Sequence, residues 1–461
     1  MTTPGEAAIS ERDALARAIR DNPSDPATLN AAAVNLRADW PGSDEALASD
    51  ALLSGLLVGT PACPVWLERR LTDLRRRLLT EGGGPARLLA SLAIQGALNE
   101  FAWAWRPTEE ARVEALARRI DELTPSEAML LASYRPLAGI PGADALMQRG
   151  WTGPVLEVLD EQIAAVRKEQ ALQARIPTLT PIRQGVSEEV RGQYEASPYP
   201  RWRKVMSVPA QASIFGWRVP DRPNVLIAGC GTGQHAIHAG QRYAGARLLG
   251  VDLSRASLGY GMRKAREAGI GNIAFAQADL LELAVTGFEF EIIECSGVLH
   301  HMDDPFEGAR ALIGRLRPGG LIKISLYSAK AREVLKPAKA LAKHYTPETI
   351  RQLREAIATA PEGDPVRGCT RFTDFFATSS CRDLLMHVQE HELTIPDLKR
   401  MLAENQLAFR GFAIDPEVTA AYRVMFPDDP AAIDLDRWDA FEQANPQTFG
   451  RMYQLWAVKT G

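Results

Sequence analysis

The sequence predicts an all-α region followed by an α/β domain with a doubly wound, mostly parallel sheet. Three observations carry this reading. From about residue 8 to 172, apolar residues recur at three and four positions, the period of amphipathic helices. From Asn224 the pattern changes to short apolar runs alternating with helical stretches, as in chained βα units. The first of those runs ends in a glycine-rich turn, Ala228-Gly229-Cys230-Gly231-Thr232-Gly233.

The chain has 461 residues, room for two or three domains of roughly 100–200 residues each. Residues 1–172 are rich in Ala, Leu, Arg and Glu. In RLLASLAIQGALNEFAWAW, Leu88, Leu89, Leu92, Leu98, Phe101 and Trp105 fall on one helical stripe. Breaks are expected at Asn22-Pro23, Pro41-Gly42, Gly82-Gly83-Gly84, Pro107 and Pro141-Gly142. Short helices joined by short turns predict a helical bundle or solenoid. No fixed period of about 34 residues survives, so the region is tetratricopeptide-like only loosely. Residues 173–222 form a connector with Pro177, Pro181, Pro198, Pro200, Pro209 and Pro220. It also carries Tyr194, Tyr199, Trp202 and Trp217, too many aromatics for a solvated linker.

The sheet domain is expected over 223–461. NVLIAG, ARLLGVD, NIAFAQAD, FEFEIIECSG and GLIKISLYS read as five successive strands. Runs such as Val225-Leu226-Ile227 suit parallel strands buried on both faces. HAIHAGQRY and RASLGYGMRKAREAG read as the helices after the first two. An insertion follows at about 329–392, with a helix at PETIRQLREAIAT and a loop-like stretch from Arg367 to Thr394. IPDLKRMLAENQ reads as a helix capped by Thr394 with Pro396 in its first turn. FRGFAI and MYQLWAVK read as closing strands around a second insertion at about 415–447.

Composition excludes several classes. The formal net charge is −4, so no dedicated nucleic-acid binding is expected. MTTPGEAAISERDALARAIRD lacks a basic start with an apolar run, and no stretch approaches about 18 uninterrupted apolar residues. A cytoplasmic protein without membrane association is expected. Cys63, Cys230, Cys295, Cys369 and Cys381 show no C-x-x-C pair. They read as buried thiols rather than disulfides or a zinc site, and no metal is expected.

The glycine-rich turn lets a ligand approach the backbone and aims helix N–H groups at it. Asp252 ends the second strand, about 20 residues further on, where an acid accepts hydrogen bonds from ribose hydroxyls. Asp279 ends the third strand, beside the expected place of an adenine. Strand four runs into Ser296-Gly297-Val298-Leu299-His300-His301-Met302, and LRPGG leads into strand five. The spacing is G-x-G-x-G rather than the G-x-G-x-x-G of nicotinamide and flavin sites.

NVLIAGCGTG, GVDLS, AQADL, IECSGVLHHM and LRPGG resemble the ordered motifs of the class I S-adenosylmethionine methyltransferases over residues 223–330. The resemblance implies a Rossmann-like seven-stranded sheet whose last strand, MYQLWAVK, runs antiparallel. It implies S-adenosyl-L-methionine as cofactor, with Gly229, Gly231 and Gly233 beside its methionine moiety. Asp252 and Leu253 would hold the ribose, Asp279 and Leu280 the adenine, and Ser296 and Val298 the methionine side near the methyl. More loosely, LNEFAW (98–103), SPYPRW (197–202) and CRDLLMHVQEH (381–391) resemble bacterial methyltransferases with an N-terminal helical, tetratricopeptide-like domain.

Methyl transfer from a sulfonium needs a base only if the nucleophile must lose a proton. His300 and His301, after strand four, are the candidates; a His-His pair that merely caps the strand is the structural alternative. A lid is expected before strand one, with Tyr199 facing the sulfonium and Arg201 pairing with the methionine carboxylate; packing against the helical domain is its alternative. His387-Val388-Gln389-Glu390-His391 matches the inverted zinc-peptidase pattern but has no third ligand. Arg382, Asp383, His387 and Glu390 read instead as polar lining of an acceptor pocket, or as a hydrogen-bonded insertion core. The acceptor is expected to be a protein or peptide docked on the helical domain. A small metabolite is the alternative, and a non-catalytic cofactor-binding scaffold the third reading. Oligomeric state is not legible.

Overall fold

The computed structural model describes residues 4–23, 25–61, 64–243, 245–450 and 452–461. The chain divides into two compact units. One comprises Met1–Gln170, Pro200–Met206 and Pro337–Met386, the other Ala171–Tyr199, Ser207–Lys336 and His387–Gly461.

The first unit is helical. Helix Ala86–Leu98 is buried over most of its surface, with Leu88, Leu89, Leu92 and Ile94 at its core. Buried glutamines tie its neighbours together. Gln95 donates to the Leu57 and Thr60 carbonyls, both at 2.8 Å, at the end of helix Ala51–Gly59. Those are carbonyls a helix cannot satisfy itself. Gln162 donates to the Ala93 and Ala132 carbonyls, at 2.9 and 2.8 Å. The stripe expected to continue to Trp105 stops at Leu98. Glu100 and Phe101 have φ of 56° and 58°, in the left-handed region that ends helices. The Phe101 N–H closes this turn on the Gly96 carbonyl at 2.8 Å.

Pro337–Met386, expected as an insertion of the sheet domain, packs with these helices instead. Buried Arg354, in helix Pro347–Thr359, donates to the Phe375 carbonyl and to Glu68, both at 2.7 Å. The stretch read as loop-like contains helix Thr378–Leu385, which Ala377 leaves without a side-chain cap of its own. The Glu100 carboxylate supplies one, accepting the Ser379 N–H at 2.5 Å. A start signal carried by a residue so distant in sequence cannot be seen locally.

The second unit holds the sheet. Its strands are β1 (Asn224–Ala228), β2 (Arg247–Asp252), β3 (Ile273–Gln277), β4 (Phe290–Ser296), β5 (Leu316–Leu326), β6 (Leu407–Phe412) and β7 (Tyr453–Lys459). Their order is β3-β2-β1-β4-β5-β7-β6. β1 to β5 pair in parallel, and β7 runs antiparallel between β5 and β6. The C-terminal ends of β1, β2, β3 and β4 therefore open on one side, where ligands bind in open α/β sheets. The aromatic connector is partly drawn into this sheet. Thr178 bridges Gln277, and the Leu179 N–H donates to the Gln277 carbonyl at 2.9 Å. Helix Ile395–Glu404 begins at Thr394, which forms a reciprocal cap with Asp397. Tyr422 and Trp438, stacked at 4.0 Å, anchor the insertion between β6 and β7.

Cys230, Cys295, Cys369 and Cys381 are buried free thiols; Cys63 lies outside the described residues. Among the described residues, no helix is long and apolar enough to cross a membrane.

Candidate cofactor and acceptor site

β1 delivers the glycine turn to the open end of the sheet. Gly229, Gly231 and Gly233 have φ of 68°, 52° and 83°, a region costly for any residue with a Cβ. Space is short as well. A Cβ on Gly229 would lie 2.2 Å from Val298 Cγ2, and one on Gly231 2.8 Å from the Tyr199 carbonyl oxygen. Beyond β4, Val298 thus closes over the turn, and the Ser296 hydroxyl lies 3.0 Å from that of Ser325 on β5.

Asp252 ends β2 with its carboxylate turned to this loop. Oδ2 accepts the Gly231 N–H at 2.8 Å and Oδ1 the Ser254 N–H at 2.9 Å. Burial pushes the Asp252 carboxyl up to about 6, against the backbone N–H groups that favour its charge. The Leu253 carbonyl is held by the Gln277 amide at 2.9 Å. Asp279 is buried, with Leu280 beside it. Its oxygens accept backbone N–H groups of Arg183 at 3.1 Å and Leu281 at 3.0 Å. The structure thus gathers Gly229, Gly231, Gly233, Asp252, Leu253, Ser296, Val298 and Tyr199 around one strand end, with Asp279 and Leu280 after β3.

Arg201 belongs to the helical unit, where its Nε lies 3.6 Å from Glu100. It was expected at the cofactor; its recorded ion partner is a protein carboxylate.

A row of rings follows β4. His301 stacks on His387 at 3.6 Å, and the Tyr194 hydroxyl meets His387 Nε2 at 3.2 Å. His301 Nδ1 lies 2.8 Å from the Gln389 carbonyl. A carbonyl only accepts, so in the neutral ring Nδ1 carries the proton and Nε2 the lone pair. His387 is the reverse. Its Nδ1 accepts the Gln389 N–H at 3.1 Å, so Nε2–H donates to Tyr194. His300 is fully buried against Tyr327 at 3.7 Å, and neither ring nitrogen has a hydrogen-bond partner among the described residues. Burial, then the neighbouring His301, Arg332, His387 and His391, hold His300 well below the usual histidine range, so it is neutral.

His387 and Glu390 fall in the sheet unit, Arg382 and Asp383 in the helical unit. Glu390 forms a two-pronged ion pair with buried Arg332, at 2.9 and 2.7 Å. Arg382 lies 3.8 Å over the Tyr345 ring. Residues 386–393 are not helical, so the helix that the zinc-peptidase pattern needs is absent there. His391 turns to the Asp303 carbonyl, at 3.1 Å.

Sequence reading passed over several residues. Arg332 lies 3.7 Å over Tyr327 and fixes the wall behind His300. Glu294 sits buried on β4, where it meets His235 at 2.6 Å, Arg242 at 3.0 Å and the Tyr243 hydroxyl at 2.5 Å. Burial alone would raise its carboxyl, but His235, Arg242 and Lys323 outweigh it and hold it well below the usual range. The one available signal was an acid set among apolar residues at Ile292-Ile293-Glu294-Cys295.

Residues 225–320 match the family model described as a methyltransferase domain. An uncharacterized protein of Synechococcus sp. is 27% identical over 255 residues, which cover 50% of this chain and 60% of that protein. The trans-aconitate 2-methyltransferase of Deinococcus radiodurans is 32% identical over 110 residues, covering 23% of this chain and 40% of that enzyme. Among solved structures, PKMT2 from Rickettsia typhi in complex with AdoHcy is similar at a TM-score of 0.40 and 17% identity. That similarity covers 53% of this chain and 50% of PKMT2. The chain spans less than two thirds of the length of these relatives. The strand order, the antiparallel β7 and the matched domain define the sheet unit as a class I methyltransferase fold, preceded by helices.

Proposed function

We propose that this chain is an S-adenosyl-L-methionine-dependent methyltransferase. The observation that carries this is the coupling of the glycine turn to Asp252 through the 2.8 Å bond between Gly231 N–H and the carboxylate. In this reading the bond holds a ribose-accepting carboxylate beside a turn whose Gly229, Gly231 and Gly233 carry no Cβ. In this reading Gly229, Gly231, Gly233, Ser296, Val298 and Tyr199 surround the methionine end of the cofactor. Asp252 and Leu253 take the ribose, and Asp279 with Leu280 the adenine. Arg201, paired with Glu100, has no direct cofactor role in this reading.

The reaction breaks the S–CH3 bond of the sulfonium and forms a bond from the methyl to the acceptor. The sulfur leaves with the electron pair as a neutral thioether and needs no proton. Where the acceptor carries a proton, His301 Nε2 takes it. Buried, neutral His300 supports the His301 ring edge-on, with centroids 4.3 Å apart. His387, and Glu390 through Arg332, shape the acceptor side, and Arg382 and Asp383, buried in the helical unit, remain candidates for polar lining of an acceptor pocket. The acceptor on this reading is a protein or peptide. A small metabolite is the second reading, favoured by the close ring stack of His301, His387 and Tyr194, which suits a compact planar acceptor.

Two measurements test this. Calorimetric titration with S-adenosylhomocysteine should show binding to the wild-type chain, weakened at least about a hundredfold in Asp252→Ala through loss of charged hydrogen bonds. Unchanged affinity in that variant would sink the cofactor assignment. Methyl-labelled cofactor incubated with a lysate should then label a discrete protein band. Label confined to small molecules would favour a metabolite acceptor, and binding without any label a scaffold.

A further inference from the structure

We propose that Glu195 is a positioning residue of the cofactor site, whose carboxylate fixes the loop that presents Asp252 to the ribose. The inference rests on the cofactor reading of Asp252 given above. Glu195 lies in the last turn of helix Val186–Ala196. Its Oε1 accepts the Arg255 N–H at 2.8 Å, and its Oε2 accepts the Ala256 N–H at 3.0 Å. These are the first donors of helix Arg255–Glu267, which no carbonyl of that helix can satisfy. The preceding residue joins in. Ser254 donates its hydroxyl to the Tyr194 carbonyl at 3.1 Å while accepting the Ser257 N–H at 3.0 Å. Two consecutive residues thus hold Ser254, Arg255 and Ala256 in place.

Ser254 is also what orients Asp252, through the 2.9 Å bond from its N–H to Oδ1. The direction of the ribose carboxylate is therefore set from outside its own loop. The same stretch grips the other half of the site. Five positions after Tyr194, the Tyr199 carbonyl accepts the Thr232 N–H at 3.4 Å, inside the glycine turn.

Ser254 caps only the Ser257 N–H, and Glu195 meets the two donors before it, although this second carboxylate brings a like charge next to Asp252. That charge adds to burial in raising the Asp252 carboxyl. The other titratable groups here are Arg191, one turn back from Glu195 and paired with Glu188, and the Cys230 thiol, which faces Asp252 and stays protonated. Two charged hydrogen bonds to otherwise unmet N–H groups offset that electrostatic cost, and they fix the loop that carries Asp252.

The test titrates S-adenosylhomocysteine into the full chain and its Asp252→Ala, Glu195→Gln and Glu195→Asp variants, from about pH 5 to 8. Glu195→Gln keeps the size but removes the charge and turns one acceptor into a donor facing an N–H. Its affinity at the upper pH is expected to fall about tenfold. The pH at which binding fades is expected to move down, because Asp252 loses a like charge. Glu195→Asp keeps the charge at a shorter reach. It should weaken binding while holding the wild-type pH midpoint. Wild-type affinity and an unchanged midpoint in Glu195→Gln overturn the proposal. So does a drop in melting temperature with affinity intact, since Glu195 would then be a helix cap and nothing more. If Asp252→Ala also binds like wild type, the cofactor reading falls and takes this inference with it. If only Asp252→Ala matters, this inference falls alone.

Discussion

At the scale of single residues, the site turns on where protons and Cβ atoms cannot be. In the proposed cofactor reading the ionised Asp252 accepts from both ribose hydroxyls, and burial pushes its carboxyl up to about 6. Affinity for S-adenosylhomocysteine should therefore be flat above about pH 7 and fall toward tenfold per pH unit below about 6. A titration that stays flat to pH 5 would contradict this. Gly229 admits no substitution cheaply. Alanine there adds a contact of 2.2 Å with Val298 to a φ of 68°. Gly229→Ala is expected to cost about 1–3 kcal/mol, read as a loss in denaturant midpoint. His301→Asn should slow transfer to a proton-bearing acceptor by about a hundredfold or more. An acceptor found by labelling supplies the assay.

At the scale of elements, the buried ion cluster behind the glycine turn joins β4 to helix Gln234–Arg242. Glu294 is held below its ordinary range in the folded state, so it favours folding above that range. The benefit is lost as pH falls through its folded value. Glu294→Gln leaves half-buried Arg242 without its carboxylate and should destabilise by about 1–3 kcal/mol. Its melting temperature should also lose part of the acid-side slope of the wild type. A variant as stable as the parent would show the cluster to be idle. Thr394→Ala, which removes one reciprocal cap, should cost only about 1 kcal/mol. Elements built from local chemistry were legible in the sequence. The cap at Thr394, the strand ending in Gly229-Cys230-Gly231 and the acid closing β2 each declare themselves within a few residues. What stayed hidden depends on distant partners. Glu195 meets Arg255 across 60 positions, Arg332 meets Glu390 across 58, and Glu100 meets Ser379 across 279. No local pattern marks such pairs, because Glu195, Glu100 and Glu390 read as ordinary acids until a backbone N–H or a guanidinium from a distant stretch meets them. The stripe run on to Trp105 failed for a related reason. Periodicity continues through Phe101, but the backbone turns at Glu100.

At the scale of the whole molecule, each compact unit is assembled from three separate stretches of chain. The helical unit is not a detachable N-terminal module. Residues 337–386 rest on Glu68, Ala102 and Glu100, through Arg354 and Ser379. A chain lacking the first 170 residues should expose that segment, and limited proteolysis should cut it within 337–386 before the sheet is touched. A protease-resistant truncated chain would refute this. It follows that loss of activity on such truncation cannot by itself prove a docking role. The same arrangement reaches back to the ribosome. Glu68 and Glu100 emerge early, yet Arg354 and Ser379, which meet them, are made 286 and 279 residues later. At about 5–20 residues per second, the nascent helices wait roughly fifteen seconds to about a minute with an unfinished face. Their carboxylates stay hydrated and charged in that interval, keeping the half-built surface soluble until its missing strip is synthesised.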